Sequence, residues 1–331
     1  MLKKSLFKPA WWLPHAHLQT LWPTLCRSRI KHAPLSRERI ELSDGDFIDI
    51  DWTAGEANSP IVVLLHGLEG SADSPYLGGM LRAIEAQGWR GALLYFRGCS
   101  GEINRLPHSY HAGNTLDIAF FTQMLRTREP NTPLAAIGFS LGGNVLLKWL
   151  GETGAENPLV AAVAISVPFD LEKCVQRLNS GFSRIYQAHL LRHLQRKIHY
   201  KLGAYPDCLA LLKEVQVKEV RSLRAFDQHI TAKLNHFSGA EEYYAQSSSR
   251  AYLRTITVPT LLLQAEDDPF LYKEVLPASH ELGEQVQLEV SEKGGHLGFI
   301  TGSLPWRPQY WLEERVPLFL RGYWKVCSGS P

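Results

Sequence analysis

The chain has 331 residues, 45% of them hydrophobic and 21% charged, with a formal net charge of +2. This is the composition of an ordinary globular protein with enough apolar material for a sizeable core. No lysine/arginine block is present, which argues against a nucleic-acid-binding tail. Five widely spaced cysteines (Cys26, Cys99, Cys174, Cys208, Cys327) fit neither a disulfide framework nor a zinc site and suit a reducing compartment.

The chain opens with "MLKKSLFKPAWWLPHAHLQTLW", where prolines and histidines interrupt any apolar run, so no signal peptide is expected. Nothing approaches the roughly 18 apolar residues of a membrane span, and a cytoplasmic location is expected. Residues 1–35 hold Trp11, Trp12, Trp22, Pro14 and Pro23, a composition that predicts an arm packed on the body of the protein. His15 and His17 read as packing groups of that arm, since no acidic ligand lies near them.

Next, "RERIEL-SDGD-FIDIDW" alternates on both sides of an Asp-Gly turn and predicts a β-hairpin. Asp46, Asp49 and Asp51 in it read as solvated positions. The run "PIVVLLHG" (60–67) predicts a strand buried on both faces. A helix is expected around 76–87, a second buried strand at 90–98 and a helix at 114–128. In that helix Leu116, Phe120, Met124 and Leu125 form the apolar side. Further strands are expected at 133–140, 159–168, 258–269 and 285–292, a helix at 141–152, and a helical C-terminal segment.

Strands alternating with helices predict one α/β domain with a mostly parallel sheet and helices on both faces. The alternation breaks only between about 169 and 253, where several helix-like stretches and no convincing strand suggest a helical cap insertion. In parallel sheets the chemistry gathers at the carboxyl ends of strands. There the sequence places His66-Gly67-Leu68-Glu69-Gly70, then Ser140, then Glu266-Asp267-Asp268, then Gly294-Gly295-His296. The stretch "GFSLG" fits a nucleophile elbow, and the order Ser…Asp…His is the one α/β-hydrolases use.

Ser140 is the expected nucleophile and His296 the base that takes its proton. Asp268 is the expected carboxylate behind the imidazole, with Asp267 as the alternative. The N–H groups of Leu68 and Leu141 are the expected oxyanion donors. His66 reads as a shaping residue of the oxyanion loop. Cys99 could line the pocket edge, and Tyr110 and His111 either approach the site or belong to a loop leading into a helix.

These stretches resemble a known family. "LHGLEGS" (65–71), "FRGCSGE" (96–102), "GFSLGGN" (138–144), "AEDDPF" (265–270) and "GGHLGF" (294–299) are similar to those of the YheT-like α/β-hydrolases. "HLQTLWP" (17–23), "FDQHIT" (226–231) and "EEYY" (241–244) match as well, so the resemblance runs along nearly the whole chain. It implies an α/β-hydrolase fold and a hydrolase that uses Ser140, Asp268 and His296. The eukaryotic branch is associated with lipid-directed esterases and often has an N-terminal anchor. None is seen here, and a soluble, bacterial-type member is expected.

Within the insertion, Ile185, Leu190, Leu191, Leu194 and Ile198 can share one helical side. Arg184, Arg192, Arg196, Lys197 and Lys201 then mark the rest, as solvated charges. The segment reads as a lid with an apolar roof, or as a basic helix lying on an anionic membrane. An apolar roof suits short- to medium-chain acyl esters. A thioesterase or amidase with the same residues, and a non-catalytic binding protein, are the alternatives. No cofactor, metal, nucleotide or nucleic-acid partner is implied, and the oligomeric state is open.

Overall fold

The computed structural model describes residues 2–27 and 34–324; positions 28–33 of the arm, the side chain of Cys208, and Cys327 lie outside them. Its main sheet contains β1 (Leu2–Lys4), β2 (Ser36–Glu41), β3 (Phe47–Trp52), β4 (Ile61–Leu65) and β5 (Arg90–Leu94). It continues with β6 (Leu134–Phe139), β7 (Ala161–Ile165), β8 (Thr260–Ala265) and β9 (Val286–Ser291). Helices α1 (Ala16–Cys26), α2 (Pro75–Glu85), α3 (Leu116–Arg128) and α4 (Leu141–Thr153) precede β7. After β7 come α5 (Leu171–Leu178), α6 (Arg184–Ala204), α7 (Pro206–Leu211), α8 (Leu223–Phe226), α9 (Ala232–Leu234) and α10 (Ala240–Ser247). A small pair, β10 (Ile300–Thr301) and β11 (Gln309–Tyr310), leads into α11 (Leu312–Trp324).

The strand order is β1-β9-β8-β7-β6-β4-β5-β3-β2. From β1 to β5 every neighbouring pair is parallel, while β3 joins β5, and β2 joins β3, antiparallel. The run Ile61–Leu65 forms a central strand because all five residues are apolar and all are buried. Ile61, Val63 and Leu65 pack on the face that holds Phe121 and Val145, while Val62 and Leu64 pack with Leu77, Met80 and Leu320. Burying each such side chain is worth about 1.5–3 kcal/mol. Strand β4 has β5 on one side and β6 on the other, which opens a crevice at its carboxyl end.

Three expectations are corrected. Asp46, Asp49 and Asp51 are buried, at 0%, 1% and 5% exposure, not solvated. The hairpin register sets Arg37 opposite Asp51 and Arg39 opposite Asp49, so each acid has a cross-strand guanidinium. Burial alone would raise the Asp46 pKa, but hydrogen bonds from Asn104, Arg105 and Phe47 and the Arg97 charge bring it below the usual carboxylate range. Helix α3 is rotated from its expected orientation. Leu116 and Phe120 are exposed, while Asp117 is buried and pairs with the buried Arg97 at 2.7 Å. That ion pair, continued to Asp44 and Asp46, sets the helix rotation.

The third correction concerns α6. Lys197 and Lys201 are not solvated: Lys201 is 2% exposed and bonds Asn104 Oδ1 and the His108 carbonyl at 2.7 Å. Conversely, Ile185 is 56% exposed and takes no part in the buried side. The arm packs on the body through Phe7, Ala10 and Leu13 and adds β1 to the sheet edge. Trp11 stays largely exposed, with its indole N–H on the Ser303 carbonyl. His17 packs as expected, its ring 4.3 Å from Phe182 and its Nδ1 3.0 Å from the Tyr186 hydroxyl.

Candidate active site

Ser140 stands between β6 and α4 with φ 51° and ψ −117°. A non-glycine residue there costs on the order of 1–3 kcal/mol, so the surroundings must hold it. They do so with backbone: the Ser140 N–H donates to Ile165 O at 2.8 Å, and Asn144 N–H donates to Ser140 O at 3.1 Å. A Cβ on Gly138 would fall 2.6 Å from Gly143 Cα, and one on Gly142 would fall 2.5 Å from His66 O. The glycines flanking the serine are therefore required by close passage of strand, helix and the neighbouring loop.

That loop follows β4. A Cβ on Gly67 would lie 3.5 Å from Ser140 Cβ, which places the loop against the serine. Gly67 N–H donates to the Tyr76 hydroxyl and Glu69 N–H to the Tyr110 hydroxyl, both at 3.0 Å, so the residues on each side of Leu68 are fixed. His66 is fully buried, with Nδ1 2.6 Å from Gly67 O and Nε2 3.1 Å from Phe96 N. Those contacts assign the proton to Nδ1 and make Nε2 the acceptor, a neutral ring bridging two strand ends. Burial lowers its pKa to about 4, which keeps it uncharged.

His296 follows β9 and points its Nε2 at Ser140 Oγ, 3.0 Å away. On its other side, Nδ1 lies 2.8 Å from Asp268 Oδ2. Asp268 is 2% exposed and accepts the Phe270 N–H at Oδ1, 2.8 Å away. Its neighbour Asp267 instead accepts the Gly295 N–H at 3.0 Å. Ser140, His296 and Asp268 thus form one hydrogen-bonded line, and Leu68 and Leu141 border the same cavity as the serine.

Several supports escaped the sequence reading. The Phe270 ring lies parallel to His296 with centroids 3.9 Å apart. Thr20 Oγ1, on α1 of the arm, accepts the His296 N–H at 2.9 Å, and Ser166 Oγ accepts the Leu297 N–H at 3.1 Å. The buried Gln19 donates to Leu13 O and Ile300 O and accepts from Ile300 N. A Cβ on Gly295 would fall 2.5 Å from Ala16 O, so α1 lies directly on the histidine loop. The only hint in the sequence was "HLQTLWP", and that as a resemblance rather than as geometry.

A cavity of about 650 Å³ opens over Ser140 and His296. Helices from the β7–β8 connection wall it with Leu171, Val175, Leu178, Leu190, Leu194 and Ile198. Tyr110 and His111 line it, so both approach the site, whereas Cys99 is not among its lining residues. Burial pushes the Cys99 thiol up to about 11, and its sulfur sits 2.9 Å from Lys197 Nζ. Lys197 lies 2.7 Å from Glu69, tying α6 to the residue after Leu68. Asp227, in the π-helical turn Asp227–Thr231, also faces the cavity. Burial raises it to about 6, against hydrogen bonds from Tyr244 and Thr231.

Residues 60–303 match the family model described as "alpha/beta hydrolase fold". The chain belongs to the α/β-hydrolase family. Within that family this hydrolase is 43% identical over 97% of its length to the Escherichia coli (strain K12) protein named "Putative esterase YheT", covering 95% of that protein. It is therefore a YheT-like member. It is 29% identical to mouse "Phospholipase ABHD3", over 85% of this chain and 71% of that one. It is also 29% identical to Saccharomyces cerevisiae "Monoacylglycerol lipase", over 79% of this chain and 59% of that one. Among solved structures, the Pyrococcus furiosus esterase Pf2001 superposes with a TM-score of 0.55 at 18% identity, over 87% of this chain and 91% of that one. That likeness concerns the fold alone.

Proposed function

We propose that this chain, an ester hydrolase by its family, cleaves carboxylic esters with short- to medium-chain acyl groups through an acyl-enzyme on Ser140. The observation that carries the reading is the line Ser140–His296–Asp268 beneath an apolar-walled cavity. Ser140 Oγ attacks the carbonyl carbon while His296 Nε2 takes its proton. Asp268 holds the Nδ1–H tautomer and stabilises the imidazolium that forms. The N–H groups of Leu68 and Leu141 receive the oxyanion. His296 then gives its proton to the leaving alcohol, and next activates the water that releases the acid.

The cavity volume falls within the roughly 300–1,000 Å³ of small-molecule sites, and its wall of leucine, valine and isoleucine suits an acyl chain. The names of the relatives, an esterase, a phospholipase and a monoacylglycerol lipase, agree with an acyl ester as substrate. The test is intact mass after treatment with a small fluorophosphonate, followed by p-nitrophenyl acetate, butyrate and octanoate. One adduct on Ser140, absent from Ser140→Ala, with turnover of at least one ester, is expected. A folded protein that takes no adduct and refuses all three esters would sink the reading.

A further inference from the structure

The chain is nearly neutral, but its charges are unevenly distributed. Residues 1–37 and 173–206 contain none of the 33 Asp and Glu residues and 14 of the 35 Lys and Arg residues. These two segments carry α1 and α6, which meet where His17 packs on Tyr186. Helix α6 is two-sided. Tyr186, Leu191 and Ile198 point into the helical layer, while Arg184, Ile185, His189, Arg192, Arg196 and Tyr200 repeat at three- to four-residue spacing on the exposed face. Unlike Lys197, which Glu69 holds, Arg184 and Arg196 enter no ion pair among the described residues.

The cavity opens at this face. Of the residues that line it, those that are also exposed to solvent are Thr24 and Leu25 on α1 and Ile185, His189 and Arg192 on α6. Leu25 is 74% and Ile185 56% exposed, with Leu18 and Phe182 close behind at 44% and 48%. Single exposed apolar residues are ordinary. Here Leu25 and Ile185 stand at the mouth of the cavity, with Phe182 against His17 of α1 and with Arg184, Arg192 and Arg196 along α6, and neither helix carries an acid.

We propose that this face docks the cavity mouth on an anionic phospholipid surface. The arginines supply attraction to the headgroups, and Leu25, Ile185 and Phe182 enter the boundary between headgroups and acyl chains, as on basic amphipathic helices that lie in a bilayer interface. An acyl ester then passes from the lipid into an apolar cavity without crossing bulk water. That last step rests on the ester-hydrolase reading; the docking itself does not. An acidic protein would satisfy the arginines but leaves the apolar rim of the mouth unexplained, so the lipid surface is the occupant the residues favour.

The test is flotation of the full chain carrying Ser140→Ala, so that no lipid is consumed. One set of vesicles is pure phosphatidylcholine and the other contains about a third phosphatidylglycerol. The expected result is flotation with the anionic vesicles at least about tenfold above the neutral ones, weakening as salt is raised. Arg184→Glu together with Arg196→Glu should remove that binding by about tenfold or more. Neither side chain lines the cavity, so with Ser140 intact the same pair should leave fluorophosphonate labelling and melting temperature unchanged. Absence of flotation, equal flotation with both lipids, or a double variant that floats like its parent would overturn the proposal. Capture by poly-glutamate with no vesicle binding would overturn it too, and assign the face to an acidic protein. Flotation needs no turnover, so it remains readable even if no ester is cleaved.

Discussion

Ser140 and His296 sit 3.0 Å apart, but the chain fixes them in different ways. The serine is held by its own neighbourhood. Gly138, Gly142 and Gly143 let β6, α4 and the loop after β4 pass without side chains between them, and backbone bonds lock the bend. The histidine is held from far away. Its loop contains Gly295, Leu297 and Phe299 at positive φ, and it is pinned by Thr20 and Gln19, some 276 residues earlier in the chain. A bend packed backbone against backbone tolerates no added atom. A loop held by remote side chains tolerates small changes but loses aim.

Four experiments bear on this contrast. The largest effect is expected at the carboxylate. Asp268→Asn should cut kcat by about 10⁴ by disturbing the imidazole tautomer while the fold persists, and Asp267→Asn, which keeps an amide oxygen to accept the Gly295 N–H, should cost far less. Steady-state kinetics on both variants decides which acid serves the imidazole, and the reverse ranking would refute the assignment. Next comes Gly142→Ala. Its Cβ has backbone oxygen 2.5 Å away at His66, so a loss of about 3–5 kcal/mol in denaturant titration is expected. A normally stable variant would show that the elbow can yield.

Thr20→Val tests the remote support. It removes the acceptor of the His296 N–H, and a misplaced base should lower kcat by about 10- to 100-fold with KM little changed. Thr20→Ser should restore the rate, because it keeps the hydroxyl. The smallest effect is that of acid on stability. His66 and His111 are both lowered by burial to about 4, so between pH 6.5 and 4 the unfolded chain binds protons that the folded chain refuses. Stability therefore falls as pH drops through that range. Asp227, raised by burial to about 6, acts oppositely: its contribution is present at low pH and fades as pH rises through 6. His108 is lowered by burial as well, while Asp267 and Glu313 are raised like Asp227, and the imidazoles should prevail, leaving a net fall in melting temperature that calorimetry checks. A flat profile would mean that the imidazoles stay accessible to protons.

The same contrast governs what could be read from the residues alone. The elbow was legible because its cause is local: glycines at fixed offsets from a serine, after a β-branched run. Strand ends were legible for the same reason, and they brought Leu68, Asp268 and His296 to one edge. The fold of the hairpin is readable from its alternation, whereas the burial of Asp49 and Asp51 shows only in its register. The signal was there, because an Arg-x-Arg facing an Asp-x-Asp in hairpin register makes charge pairs. Helix α3 departs from its apolar spacing because Arg97, a charge from another segment, turns Asp117 inward. Phe270 stacking on His296 and Thr20 beneath it depend on contacts between distant segments, and no local pattern encodes those.

The position of α1 also dictates when the protein can become active. The helix that steadies His296 is made 276 residues before the loop it steadies. At about 5–20 residues per second on a ribosome, the arm waits roughly 15–55 s for its partner. Until then its apolar side chains have no histidine loop to cover, and Ser140, although already synthesised, lacks its proposed base. A nascent chain interrupted before residue 296 thus lacks the proposed proton acceptor. On the proposed mechanism, hydrolysis is withheld until the loop that carries His296 has been made and has met α1.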